Sequence, residues 1–299
     1  MFPVGVNMRA DWRYGTHRIS SAMAIPILTY HAQNIAGNDY VNNNHVAFAD
    51  DLRLLTASGW NVVSLIDIVD MLARPDTDWT RKAVAITFDD GSDFDYKDLP
   101  HPVAGMQRSM LNIMRDFKAA NPMDQPTLHA TSFVIVSPDA REILDRTCML
   151  GTRWWNHAWW PDAVASGLMN IGSHSWDHCH DTLPHVAQRN QRKGDFWGID
   201  TEGDADAQIR ASVAFIARVS PNPGARLFAY PYGHANDFLV HEYFPQQARE
   251  SSRCCVTAAF STDPEPVSRG SNRWNLGRFV CGDHWKSSEE LTAILRSAT

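Results

Sequence analysis

Short apolar runs alternate along this chain with longer stretches whose apolar residues recur at helical spacing. Ile25 to His31 reads as a first strand that ends in a histidine. Phe48 to Leu55 has the helical period and stops at Ser58 and Gly59. Asn61 to Leu65 is a second strand, followed by a helix through Ile68, Val69, Met71 and Leu72. The third strand begins at Ala83 and breaks off at Asp89, Asp90 and Gly91. Beyond it come a helix at Met110–Lys118, a fourth strand at Ala130–Val136 and a fifth at Asn170–His174. Asp204–Val219 is a helix with Ile209, Val213, Ile216 and Ala217 on one face. Leu227–Gly233, Cys255–Phe260 and Trp274–Val280 complete the strands, and Glu289–Leu295 is a last helix. Ser137–Asn170 has no clean period, and Pro184–Gly203 reads as a polar, loop-like insertion.

Strands separated by helices predict βαβ units and a parallel sheet. Seven or eight of them predict an α/β protein built as a distorted (β/α) barrel, one domain over residues 1–299 with no linker or internal repeat. Active sites of such barrels lie at the carboxyl ends of the strands. His31, Asp89, Asp90, His174, His178 and Tyr232 all fall there.

Charge and cysteine content narrow the picture further. The formal net charge is -7 and no run of Lys or Arg occurs, which excludes a nucleic-acid footprint and suits a neutral substrate. Met1 to Ser21 has Arg9, Asp11, Arg13 and Arg18 and no continuous apolar core, so neither a signal peptide nor a membrane span is expected and a cytoplasmic location is. Five cysteines, with Cys254 and Cys255 adjacent, favour a reducing compartment.

Two features carry chemistry. Asp89 and Asp90 are neighbouring carboxylates that raise one another's pKa unless a cation or a hydrogen-bond network compensates; the plain alternative is a polar turn closed by Asp-Gly. His174 and His178, four apart in His-Ser-Trp-Asp-His, lie on one face if that segment forms a helical turn, and both can then reach one metal ion. The metalloprotease helix is excluded, because Ser175 stands where that motif needs Glu. Two His and one Asp leave coordination positions open for water, and zinc, cobalt, nickel or manganese all accept such ligands. A non-haem iron oxygenase uses the same set. Trp154, Trp155, Trp159 and Trp160 form either core packing or an aromatic floor for sugar rings.

Taken in order, TFDDG (Thr87–Gly91), HSWDH (His174–His178) and YPYG (Tyr230–Gly233), with LTYH (Leu28–His31) before them, resemble the polysaccharide deacetylase family, carbohydrate esterase family 4. The resemblance covers a catalytic core of about residues 25–280. It implies hydrolytic removal of an acetyl group from an N-acetylated sugar or polysaccharide by water activated on a divalent metal, zinc first. Carried over by position, Asp89 is the general base, Asp90, His174 and His178 are the metal ligands, and the backbone N–H of Tyr232 helps hold the oxyanion. Tyr230 and Pro231 belong to the same substrate-facing motif, and Trp176 is a candidate supporting residue. O-acetyl esters or a small cyclic amide are the alternative substrates on this scaffold. A sugar-binding module without activity is disfavoured, since the ligand set is intact.

The chain departs from the commonest family pattern in two places. The Arg that usually precedes the proline motif, and orients the catalytic base, aligns with Ala229; Arg226 and Arg278 are the candidate replacements. The late Leu-x-His segment that carries the usual general acid is missing, with His284 the nearest substitute. A subgroup resembling the exopolysaccharide deacetylases has YH after the first strand and AYPYG in the third motif, as here, which makes His31 the expected acid.

Overall fold

The computed structural model describes residues 23–74, 76–184, 195–250 and 256–299. The expectations for Met1–Ser21, for Cys254 and Cys255 and for half of the Pro184–Gly203 insertion fall outside these residues. All pairings in the main sheet are parallel, in the order β10-β1-β3-β6-β7-β8-β9 with β2 added beside β3. The strands are β1 (Ile27–His31), β2 (Asn61–Val62), β3 (Ala83–Asp90), β6 (Ala130–Val134), β7 (Met169–Ser173), β8 (Leu227–Ala229), β9 (Ala258–Phe260) and β10 (Phe279–Val280). An antiparallel pair, β4 (Leu99–His101) and β5 (Gly105–Gln107), stands apart and has no counterpart in the hydrophobic pattern.

The predicted eighth strand is split. Leu276 bridges to Phe260 of β9, while Phe279 and Val280 pair with Leu28 and Thr29 of β1. That one segment therefore joins the two edges of the curled sheet and gives the distorted barrel. The β7–β8 seam is thin, with the single register pair Ser173 and Phe228.

Strand alternation sorts the core into two layers. Ile27, Ala85, Phe133, Leu227, Ala229, Ala258 and Phe260 pack inside the barrel with Leu65, Ile68 and Val69 from the helix α2 (Leu65–Ala73). Leu28, Tyr30, Ile86 and Phe88 point outward to the helices α1 (Asn44–Ala57) and α3 (Met110–Ala120). Gly172 belongs to the inner layer because a Cβ there would sit 2.7 Å from the Phe133 ring.

Ser64, Ser109 and Ser137 each cap a helix through the side-chain oxygen, for α2, α3 and α4 (Pro138–Cys148) respectively. α4 and α5 (Trp160–Ala165) occupy the stretch that shows no clean period. Buried Arg141 and Asp145 on α4 interrupt its apolar face, which hides the period. The helix expected over Asp204–Val219 is present but contains a π-helical stretch at Asp206–Arg210. Among the described residues no helix is long and apolar enough to cross a membrane.

Candidate active site

The carboxyl ends of β1, β3 and β7 and the turn after β8 open into one cleft of about 360 Å³. His31 and Asp89 are register partners on adjacent strands, so their side chains leave the sheet side by side. Asp90, at the end of β3, sits at φ 73° beside Gly91 at φ 74°, and this left-handed pair turns the chain sharply out of the strand. A Cβ on Gly91 would lie 2.4 Å from Val134, which excludes any other residue there.

His174 and His178 meet by a different route from the predicted helical turn. Ser175 at φ 70° and His178 at φ 64° lie in the left-handed region, and the segment is a tight loop. The Ser175 hydroxyl accepts the His178 N–H and the Ser173 hydroxyl accepts the Ser175 N–H, which stands in for helical bonding. Tyr232, at φ 59°, is a fourth non-glycine left-handed residue at the site. Such a concentration of strained backbone is typical of sites whose surroundings over-determine them.

The two neighbouring carboxylates have separate partners. The Oδ1 atom of Asp90 lies 3.6 Å from His174 Nε2 and 3.8 Å from His178 Nε2, while its Oδ2 accepts from the Gln33 amide. Asp89 is gripped by the fully buried guanidinium of Arg278, with Nη1 to Oδ1 at 2.7 Å and Nη2 to Oδ2 at 2.8 Å. Burial alone would raise the Asp89 pKa; the opposing charge of Arg278, helped by His174, holds it well below the usual carboxylate range. Of the two replacements expected for the missing arginine, Arg278 makes this contact. Its ring neighbour is Phe133, 5.4 Å below the guanidinium.

The donor set fits a divalent cation. Asp90, His174 and His178 present ligand atoms within 4.8 Å of one another. His174 Nδ1 lies 2.9 Å from the Ala229 carbonyl, which can only accept, so Nδ1 carries the proton and Nε2 presents its lone pair toward Asp90. Burial lowers the His178 pKa well below the ordinary value, which keeps that imidazole neutral as a ligand must be.

Other expected residues fall out differently. Tyr232 packs its ring against His178 at 4.4 Å between centroids, and Gly233 behind it cannot be replaced, since a Cβ would stand 1.9 Å from the Thr262 hydroxyl. Tyr230 borders the cleft, yet its ring is packed among Phe228 and Phe244 and its hydroxyl donates to the Trp274 carbonyl, so the phenol faces away. Pro231 is buried at the start of the turn. Trp176 does not line the cleft; it packs on Phe215, because the left-handed Ser175 throws it outward. His31 and His284 both reach the cleft. His284 Nδ1 accepts the Val280 N–H at 2.8 Å, whereas His31 Nδ1 is buried without a hydrogen-bond partner among the described residues.

The tryptophan cluster is mainly packing. Trp159 and Trp160 are fully buried and Trp154 abuts Phe94. Trp155 alone borders the cleft, where its indole N–H donates to the Asp90 carbonyl at 2.9 Å. The sequence pattern did not single out Trp155 from its neighbours, nor Gln33, which lies in an Asn-rich loop without periodicity.

The model of the family described as Polysaccharide deacetylase matches residues 76–243. The chain belongs to the polysaccharide deacetylase family. Members act on acetylated substrates, and the deacetylase fold is shared with solved structures. IcaB from Ammonifex degensii is 20% identical with a TM-score of 0.60, over 92% of this chain and 97% of that one. The Streptococcus pyogenes deacetylase PplD, solved in complex with acetate, is 18% identical with a TM-score of 0.58, over 92% and 99%. A de-N-acetylase from Aggregatibacter actinomycetemcomitans is 17% identical with a TM-score of 0.56, over 90% and 99%. At these identities the likeness is one of fold. A comparison with curated proteins finds no match.

Proposed function

We propose that this chain is a metal-dependent hydrolase that removes the acetyl group from an N-acetylated sugar unit of a polysaccharide. The observation that carries the reading is the division of labour between Asp89 and Asp90: one carboxylate is locked on Arg278, the other faces two imidazoles. Asp90, His174 and His178 would hold the cation, which when bound supplies Lewis acidity toward a carbonyl oxygen and toward water.

The remaining groups account for the proton and charge movements. Asp89, ionised and fixed in orientation, takes a proton from the attacking water. The Tyr232 backbone N–H, on the cleft wall, receives charge that develops on the acetyl oxygen. His31 delivers a proton to the amine nitrogen as the carbon–nitrogen bond breaks, releasing acetate and the free amine. His284 is the weaker candidate for that role, since protonating its Nδ1 would cost the hydrogen bond from Val280.

The shape of the site supports a polymer over a small cyclic amide. The cleft continues into a second depression of about 730 Å³, and the two share His31, Gln33, Asp90, Val280 and Asp283 on their walls. Leu144 and Cys148 of α4, with Met149 and Trp155 after it, form part of the cleft wall. The test is acetate release from acetylated glucosamine oligomers, set beside acetylated xylan and small ureides. The reading predicts release from the oligomers that requires a divalent metal. Turnover confined to the esters or the ureides overturns it.

A further inference from the structure

Trp197 is the one aromatic residue among the large apolar side chains left exposed in the described residues, at 54%. Its turn is built, not loose. The buried Asn236 amide donates to the carbonyls of Phe196, Trp197 and Ile199, at 3.4, 3.3 and 2.9 Å. The Phe196 N–H donates to His234 Nδ1 at 3.2 Å, and the Phe196 ring is fully buried against Phe228. The indole is thus held at the surface by its neighbours on both sides.

It is also the end of a series. The His234 ring lies nearly parallel to the indole, 4.8 Å between centroids and 24° apart. The next steps run from His234 to Tyr232 at 5.3 Å and from Tyr232 to His178 at 4.4 Å. Four rings in contact connect the candidate cation ligands to an indole open to solvent. The lone exposed apolar residue of an ordinary surface has no such continuity with a cleft.

We propose that Trp197, backed by His234, is a stacking platform for a sugar ring of the same polysaccharide chain whose acetylated unit occupies the cleft. This rests on the deacetylase reading above and makes its substrate an oligomer that spans both places. A pyranose offers a face of C–H groups with hydroxyls at the rim. An indole face, apolar and electron-rich, matches that face and leaves the hydroxyls in water. His234, whose Nδ1 is occupied by the Phe196 N–H, stiffens the indole from behind.

The test uses the full chain loaded with zinc and compares N-acetylglucosamine dimer with pentamer. In Trp197→Ala the ratio of kcat/KM for pentamer over dimer is expected to fall about tenfold, chiefly through KM. Trp197→Phe is expected to restore most of the ratio, since a smaller ring still stacks. The ratio does not depend on how much of a variant folds. A ratio in Trp197→Ala equal to that of the unsubstituted chain overturns the platform. If the unsubstituted chain releases acetate from neither oligomer, the deacetylase reading fails instead. Calorimetric binding of the pentamer then judges the platform alone: about tenfold weaker binding by Trp197→Ala supports it, and equal binding overturns it.

Discussion

Arg278 and Asp89, 189 residues apart, face each other through two parallel hydrogen bonds at the floor of the cleft. The Nε of Arg278 donates to the Ser261 carbonyl, so the fork has no freedom to turn. Both carboxylate oxygens are used, which fixes the direction in which Asp89 can accept a proton.

Replacing Arg278 separates charge from geometry. Arg278→Met leaves a buried, unpaired carboxylate, and urea unfolding is expected to show a loss of about 3–5 kcal/mol. Arg278→Lys keeps a cation and loses the fork. Burial raises the Asp89 pKa and Arg278 lowers it, so a weaker partner lets the pKa rise. The acid limb of kcat/KM should therefore move to higher pH in Arg278→Lys. An acid limb that stays in place would contradict Asp89 as the base.

Asp89→Asn and His31→Gln should each lower kcat by about 10²–10⁴-fold with the cation still bound, as measured by acetate release and metal content together. His284→Asn should cost less than His31→Gln. The reverse order would move the acid role to His284.

Loading the cation should stabilise the fold. A ligand at 100 times its dissociation constant adds about 2.7 kcal/mol if it binds only the native state. Zinc is accordingly expected to raise Tm in the chelator-stripped protein, and the rise should vanish in His178→Ala. A persistent rise in that variant would place the cation elsewhere.

Asp51 gives a pH dependence away from the cleft. It accepts from Tyr40 at 2.6 Å, Tyr30 at 2.9 Å and the Trp285 indole at 3.2 Å, yet burial pushes it up to about 6. The native state then binds more protons than the unfolded chain between about pH 4 and 6. Stability from this group is greatest below that window and falls as pH rises through it, by up to about 3 kcal/mol. Urea midpoints measured from pH 4 to 7 should converge on those of Asp51→Asn from above; parallel curves would refute the assignment.

How much of this is legible in the sequence depends on range. The strand ends are legible because a buried parallel strand is a short apolar run, and a carboxylate or imidazole at its close marks the boundary. The grouping of Asp90, His174 and His178 is legible by motif, although the loop that achieves it is not, since four residues of spacing fit a helical turn as well as a left-handed one. Arg278 is legible only as one of two arginines, because its partner comes from a distant strand. Trp176 and the phenol of Tyr230 turn outward, for side-chain direction after a left-handed residue or within an outer layer leaves no trace in motif spacing. Trp197 lies in a stretch read only as a polar loop. One exposed indole has no periodicity, and its anchoring through Asn236 and His234 is tertiary.

The thin seam between β7 and β8 gives His174 a second duty. The two strands share a single register pair, and the His174 Nδ1–H to the Ala229 carbonyl is a further tie across the same gap. A substitution at His174 is thus expected to loosen the barrel wall as well as remove a proposed cation ligand. His178 Nδ1 has no hydrogen-bond partner among the described residues, so a substitution there breaks no such tie between strands.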